Sequence, residues 1–360
     1  MKMILLNPGP VTLSDRVRRA LQRDDLCHRE EEFATLQNHI RAKLLDVYQL
    51  DDAVWAATLM TGSGTAAIEA MISTLVPQGG KLLVIENGVY GERITRIATR
   101  YGIATCTVQH DWEAAIDISA VTNTLVSDPE ISHVAVVHHE TTTGRLNDLT
   151  ALGELCIKHD VSLLLDAVSS FGAEGIDFAA LPLAACAATA NKCLHGVPGT
   201  CFVMVNRGAL AGAHARNLYL DLGAYVAAQD KSGTPFTQSV QTFYALDEAL
   251  DELADDGGVV ARRETYRSRM ARIRQLLIGL NVEPLLSETE TSCVLHAFKI
   301  PKKTNYAQLH DELKSQGFII YAGQGPYSED IFRISMMGAI GTADISRLET
   351  ALNTTLGQLN

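Results

Sequence analysis

The side chain best placed for nucleophilic chemistry is a lysine. Lys192 follows the small, apolar run Ala184–Ala190 and sits in Asn191-Lys192-Cys193-Leu194-His195-Gly196-Val197-Pro198-Gly199. An ammonium set against apolar residues is partly desolvated, which lowers its pKa and frees a nucleophilic amine. A solvated surface lysine is the ordinary alternative, but the glycines and proline here constrain the loop. Asp166, 26 residues earlier, ends the apolar run Val161-Ser162-Leu163-Leu164-Leu165. An acid at the carboxyl end of a parallel strand points into the crevice where α/β proteins bind ligands. Its commoner use, as a turn or cap residue, stays open. A third segment, Met60-Thr61-Gly62-Ser63-Gly64-Thr65-Ala66-Ala67, precedes the helical stretch Ala66–Leu75. Free N–H groups and the dipole at such a helix start favour an anion. A Thr65 N-cap on a tight turn accounts for the same residues equally well.

Two cofactors fit these parts. The glycine segment matches G-x-G-x-x-A, and Glu86 lies 22 residues past Gly64, the spacing of a dinucleotide fingerprint with its ribose-binding acid. Nothing further along the chain resembles a hydride-transfer site. Pyridoxal phosphate asks for a lysine to hold its aldehyde, an acid for its pyridine nitrogen, a phosphate cup and a flat group against its ring. Lys192, Asp166 and Gly62–Thr65 meet the first three, and Thr189 adds a hydroxyl beside the lysine.

The elements that must position these residues alternate. Lys81–Glu86, Val134–His139, Val161–Val168 and Thr200–Val205 read as strands, with helices from about Glu92 to Tyr101 and Leu149 to His159. Short apolar strands between amphipathic helices predict an α/β fold with a mostly parallel sheet covered on both faces. Beyond a long helical stretch, Gln238–Leu280, the order strand, helix, strand, strand, helix predicts a small C-terminal α+β domain. We place a large domain at 15–260 and a small one at 261–360, joined by the N-terminal arm 1–14.

Composition agrees with a globular enzyme. The 360 residues are 47% apolar and 20% charged, which excludes a disordered chain. A net charge of −12 without a basic cluster argues against nucleic-acid binding. No apolar run is long enough to cross a bilayer, and Met1–Pro10 lacks the form of a secretory signal, so a cytoplasmic protein is expected. Seven cysteines without a C-x-x-C pair predict reduced thiols and no metal site.

Read in order, Asn7-Pro8-Gly9-Pro10, Ser63-Gly64-Thr65, Asn87-Gly88-Val89-Tyr90-Gly91, His139-Glu140-Thr141-Thr142-Thr143-Gly144, Asp166-Ala167-Val168-Ser169-Ser170-Phe171-Gly172 and Ala190-Asn191-Lys192-Cys193 resemble the class V aminotransferases of PLP fold type I. The resemblance runs from the arm to Arg333 and covers nearly the whole chain. It implies that Lys192 bonds the cofactor and moves the proton, and that Asp166 pairs with the pyridine nitrogen. Tyr90 stacks on one ring face, Val168 packs under the other, and Thr141 lies near the phenolic oxygen. Ser63, Gly64 and Thr65 hold the phosphate, with Thr189 and Asn191 nearby. Thr237 matches a threonine that reaches the phosphate of a neighbouring subunit, which implies a homodimer with a shared site. Arg333 matches the clamp for an acidic substrate, and Pro8 and Gly9 line the pocket by backbone contacts. Within the family the motifs are most similar to members that move the amino group of 2-aminoethylphosphonate to pyruvate. His28 and Arg29, followed by Phe33, are similar to the alanine–glyoxylate branch, so an alanine or serine aminotransferase using glyoxylate or pyruvate stays open. So does a lyase acting on an aminophosphonate. His28 and Arg29 could also face a phosphonate.

Overall fold

The computed structural model describes residues 2–357. Along the chain its strands are β1 (Ile4–Leu5), β2 (Trp55–Gly62), β3 (Lys81–Glu86), β4 (Ala104–Gln109), β5 (Ile131–Val137), β6 (His139–Glu140), β7 (Arg145–Leu146), β8 (Ser162–Asp166), β9 (Leu183–Thr189), β10 (Gly199–Asn206), β11 (Leu295–Lys299), β12 (Phe318–Ile319), β13 (Tyr321–Ala322) and β14 (Ile331–Ser335). The α-helices are α1 (Asp15–Ala20), α2 (Glu31–Asp46), α3 (Gly64–Leu75), α4 (Val89–Arg100), α5 (Ile118–Ser127), α6 (Thr150–Lys158), α7 (Leu222–Gln229), α8 (Val240–Asp255), α9 (Gly258–Gly279), α10 (Tyr306–Ser315) and α11 (Thr342–Gly357).

Seven strands form the central sheet in the order β2-β10-β9-β8-β5-β3-β4. Only β10 runs against its neighbours. The carboxyl ends of the other six therefore share one edge, which brings Gly62, Glu86, Val137, Asp166 and Thr189 to the same side. Alternation along β8 shows why its centre, Leu163–Leu165, is uninterruptedly apolar. Leu163 and Leu165 pack with Leu36, Leu125, Leu152 and Leu246 of α2, α5, α6 and α8. Leu164 faces Met71, Ile94 and Tyr225 of α3, α4 and α7. A strand covered on both faces has no polar side to show. The edge strand β4 instead exposes Ala104 and Gln109.

A third core gathers β11, β12 and β14 with α9, α10 and α11, and includes Ile4, Leu6 and Val11 of the arm. Ile4 and Leu5 pair in parallel with Phe318 and Ile319. Strands β11, β14 and β13 make a separate antiparallel sheet.

Two expectations about elements are corrected. The stretch Gln238–Leu280 is not one helix. Gly257 and Gly258 take φ of 94° and 73°, left-handed conformations that end α8 and turn the chain into α9. The run Phe318–Tyr321 is likewise two short strands, and β12 and β13 belong to different sheets. The sequence does not mark β2 and β4, and its small apolar run Ala184–Ala190 overlaps a strand, Leu183–Thr189. That segment is alanine-rich β9, buried at every position. Its small side chains let α3 lie close against the sheet, a packing reason that overrides the weak strand preference of alanine.

Candidate active site

Along the carboxyl edge of the sheet lies a cavity of about 180 Å³. It is lined by Ser63, Gly64 and Thr65 at the start of α3, by Tyr90 on α4, by Asp166 ending β8 and Val168 beyond it, and by Thr189 ending β9 with Asn191 and Lys192 beyond it. Nine of the residues singled out in the sequence thus meet at one place. Arg93 also lines it.

The helix start is built differently from the Thr65-cap reading. Ser63 is the N-cap of α3, yet its hydroxyl caps no backbone N–H, and Gly64 is the first helical residue. A Cβ on Gly64 would lie 2.9 Å from both methyls of Val168, so only glycine lets the helix start approach the turn after β8. Hydroxyl and N–H groups are left facing the cavity where an anion is favoured.

Asp166 is almost fully buried and accepts the Val168 N–H at 2.9 Å. Burial lifts its carboxyl pKa to about 6, against the pull of that N–H and of the Arg93 and Lys192 charges. Lys192 lies in a loop tied back by His195 N–H to Lys192 O (3.0 Å) and Gly196 N–H to Ala190 O (2.8 Å). Arg262 donates to Cys193 O at 2.9 Å from behind. The Lys192 amine donates to Pro8 O. Desolvation pulls its pKa down to about 8, helped by the Arg333 and Arg93 charges and opposed by Cys193 and Asp166. Gly9, at φ +101°, passes so close that a Cβ there would be 2.6 Å from Lys192 Cδ.

Arg333 and Thr141 both stand outside this lining and are joined to each other. Arg333 is 1% exposed, and it donates to Thr141 O (2.7 Å), Ala322 O (2.9 Å) and Gln324 Oε1 (3.5 Å), all neutral oxygens. Burial pulls its pKa down. A guanidinium so held keeps its full charge for an incoming anion. The Thr141 hydroxyl is buried with no hydrogen-bond partner.

Other residues are not brought in. Thr237 is exposed and outside the cavity. Arg29 is tied to Thr234 O at 2.7 Å, and neither it nor His28 lines the cavity. Glu86 is engaged by the Thr95 hydroxyl and by Gln109 Nε2 at 2.9 Å, so it does not offer the free ribose-binding acid that a dinucleotide would need. Among the described residues no cluster of three or more His, Cys, Asp or Glu is arranged to hold a metal, and the seven cysteines are unpaired. No helix there is long and apolar enough to cross a membrane.

Two residues escaped the sequence reading. Arg93, three positions past Tyr90 on the same helix face, places its guanidinium 4.6 Å from the Tyr90 ring centroid. Glu140 is fully buried and accepts from Tyr90 N–H (3.2 Å), Thr142 N–H (3.2 Å) and the Thr142 hydroxyl (2.5 Å). Burial raises its pKa to about 7 against those bonds. Its carboxylate fits under Gly88, where a Cβ would be 2.3 Å from Glu140 Cδ. The i, i+3 spacing after Tyr90 was the available signal for Arg93. Glu140 lay inside the His139–Gly144 motif without a role of its own.

Comparison with known proteins places this geometry. The family profile described as Aminotransferase class-V matches residues 16–348. A 2-aminoethylphosphonate–pyruvate transaminase of Klebsiella pneumoniae is 36% identical over 356 residues, 97% of this chain and 96% of that protein. A protein of the same name from Vibrio cholerae is 36% identical over 355 residues, 97% of this chain and 96% of its own length. Among solved structures, an aspartate aminotransferase of subgroup IV from Thermus thermophilus superposes with a TM-score of 0.91 at 26% identity, covering 99% of this chain and all of the other.

Proposed function

Because the chain belongs to the class V aminotransferases, we propose that it binds pyridoxal 5′-phosphate in this cavity and moves the amino group of 2-aminoethylphosphonate to pyruvate, giving phosphonoacetaldehyde and alanine. The observation that carries the reading is the convergence of Lys192, Asp166 and the Ser63–Thr65 helix start on one cavity. The substrate pair rests on the names of the relatives that are 36% identical over nearly the whole chain.

The residues present fit the cofactor. The uncapped Ser63 hydroxyl and the α3 N–H groups suit its phosphate, Asp166 its ring nitrogen, and Lys192 its aldehyde carbon. Thr141 offers a buried hydroxyl without a partner. When bound, the cofactor supplies an electron sink for the carbon that loses its proton. Lys192, with a pKa near 8, can hold or release a proton at Nζ close to neutral pH. Tyr90 and Val168 line the space that the cofactor's ring would take. Arg333 receives the carboxylate or phosphonate of the substrate, since a planar fork matches both anions. Pro8 O accepts from the Lys192 amine.

In this reading the enzyme is a cytoplasmic homodimer. Residues 15–260 form the large domain, and 1–14 with 261–360 the small one. The exposed Thr237 serves the phosphate of the other copy. The test is a panel of amines offered with pyruvate or glyoxylate, following aldehyde and amino-acid products. Turnover of 2-aminoethylphosphonate with stoichiometric alanine is expected. Alanine or serine with glyoxylate as the best pair would replace the proposed substrates. Ammonia release without a keto acid would replace transfer with elimination.

A further inference from the structure

One charge in the cavity has no part in the chemistry just described. Arg93 lies one turn below Tyr90 on α4 and faces the start of α3, its Nη1 3.4 Å from Thr65 Oγ1. Ile68 and Ile94 line the same cavity. At 3.4 Å the bond to Thr65 is at the long limit of a hydrogen bond, and the guanidinium is otherwise held by the face of the Tyr90 ring. The other groups around the helix start are neutral: the hydroxyls of Ser63, Thr65 and Thr189, the Asn191 amide and the α3 N–H groups. Of the other two charged groups in the lining, Asp166 would repel an anion, and Lys192 is directed to Pro8 O. A phosphate dianion at the helix start would therefore have Arg93 as its one nearby uncommitted cation.

We infer that Arg93 completes the phosphate cup. Its planar fork donates to the cofactor's phosphate oxygens, while stacking on Tyr90 keeps it oriented towards Thr65. The inference rests on the pyridoxal phosphate reading and adds the charge that the neutral cup lacks. It gives the two arginines separate ligands, with Arg93 serving the cofactor and Arg333 the substrate.

The test compares binding of pyridoxal phosphate and of pyridoxal, which lacks the phosphate, to cofactor-free protein by equilibrium dialysis. Wild type, Arg93→Gln and Arg93→Lys are measured. Arg93→Gln should weaken pyridoxal phosphate by about 10- to 100-fold, the loss expected of a charge-assisted hydrogen bond, and leave pyridoxal within about twofold. Arg93→Lys, which keeps the charge and loses the fork, should fall between. Equal loss for both ligands would overturn the inference and leave Arg93 as a brace for Tyr90. An unchanged ratio of the two affinities in both variants would also overturn it. If Arg93→Gln does not fold, the ratio measured in Arg93→Lys decides alone, with a drop expected. Wild-type protein that binds neither ligand would instead overturn the cofactor reading itself.

Discussion

The cavity and the third core stand on different footings. Ser63, Asp166, Thr189 and Lys192 each lie within three residues of the end of a strand in the seven-stranded sheet. That side carries the shifted protonation equilibria, Asp166 raised to about 6 and Lys192 lowered to about 8. Outside the cavity lining stand β14 and the arm, which belong to the third core. Strand β14 brings one permanent charge, Arg333, supported only by neutral oxygens. In the proposed reaction, bond chemistry would sit on the sheet edge, and recognition of the substrate's acidic group on β14, outside the cavity lining. Groups held close to strand ends suit a proton transfer that depends on fixed geometry. A fixed guanidinium suits two anions of different shape.

This division can be broken by mutation. Lys192→Ala should reduce turnover by ~10³-fold or more, because no other amine lines the cavity. Cofactor should still be retained noncovalently, as read by dialysis; near-normal steady-state turnover would end the assignment of the lysine. Asp166→Asn should keep the fold, judged by circular dichroism, and lower kcat by ~10²-fold or more, since a neutral amide holds the ring nitrogen's proton poorly. Arg333→Lys should act on the other side of the comparison. A point charge replaces the fork, so KM for both acidic substrates should rise about tenfold with a smaller change in kcat. A kcat loss as large as that of Asp166→Asn would show that the two sides are not separable.

Much of the sheet-edge side was legible in the chain, and less of the other. The runs at β3, β5 and β8 are β-branched or leucine-rich and covered on both faces, so composition and length mark them. Strand β9 hides because four of its seven residues are alanine, chosen for close packing of α3 rather than for strand preference. The break at Gly257–Gly258 was present as a glycine pair, but helical periodicity on either side masked it. Asp166 and Lys192 could be found from their position after apolar runs. Arg93 could not be weighed until α3 and α4 were seen to face each other, because Thr65, which it meets across the cavity, is far from it in the chain. The same holds for Thr141, whose hydroxyl matters because the folded chain leaves it without a partner. The sequence also cannot show that Arg333 is held by carbonyl oxygens of the neighbouring strand and of the distant Thr141.

The smallest expected effect bears on stability and sharpens the contrast between the two sides. Lys192 has a native pKa near 8 and an unfolded value of 10.5. Between those values the unfolded chain binds more protons, so its contribution to stability rises with pH across that window. At pH 7 the ammonium is a cost to the cofactor-free protein, and Lys192→Met should relieve it, stabilising that form by about 1–3 kcal/mol. The gain should shrink as the pH climbs from 8 towards 10.5, above which wild-type lysine is neutral in both states. Arg333→Met should do the reverse. It strands the carbonyls of Thr141 and Ala322 that Arg333 now satisfies, and should destabilise by about 2 kcal/mol with little pH dependence over the same range. Thermal midpoints of the two cofactor-free variants between pH 7 and 10 measure both effects. If Lys192→Met is no more stable than wild type at pH 7, the amine is better solvated than its burial implies. Its activation would then have to come from the bound cofactor rather than from the cavity.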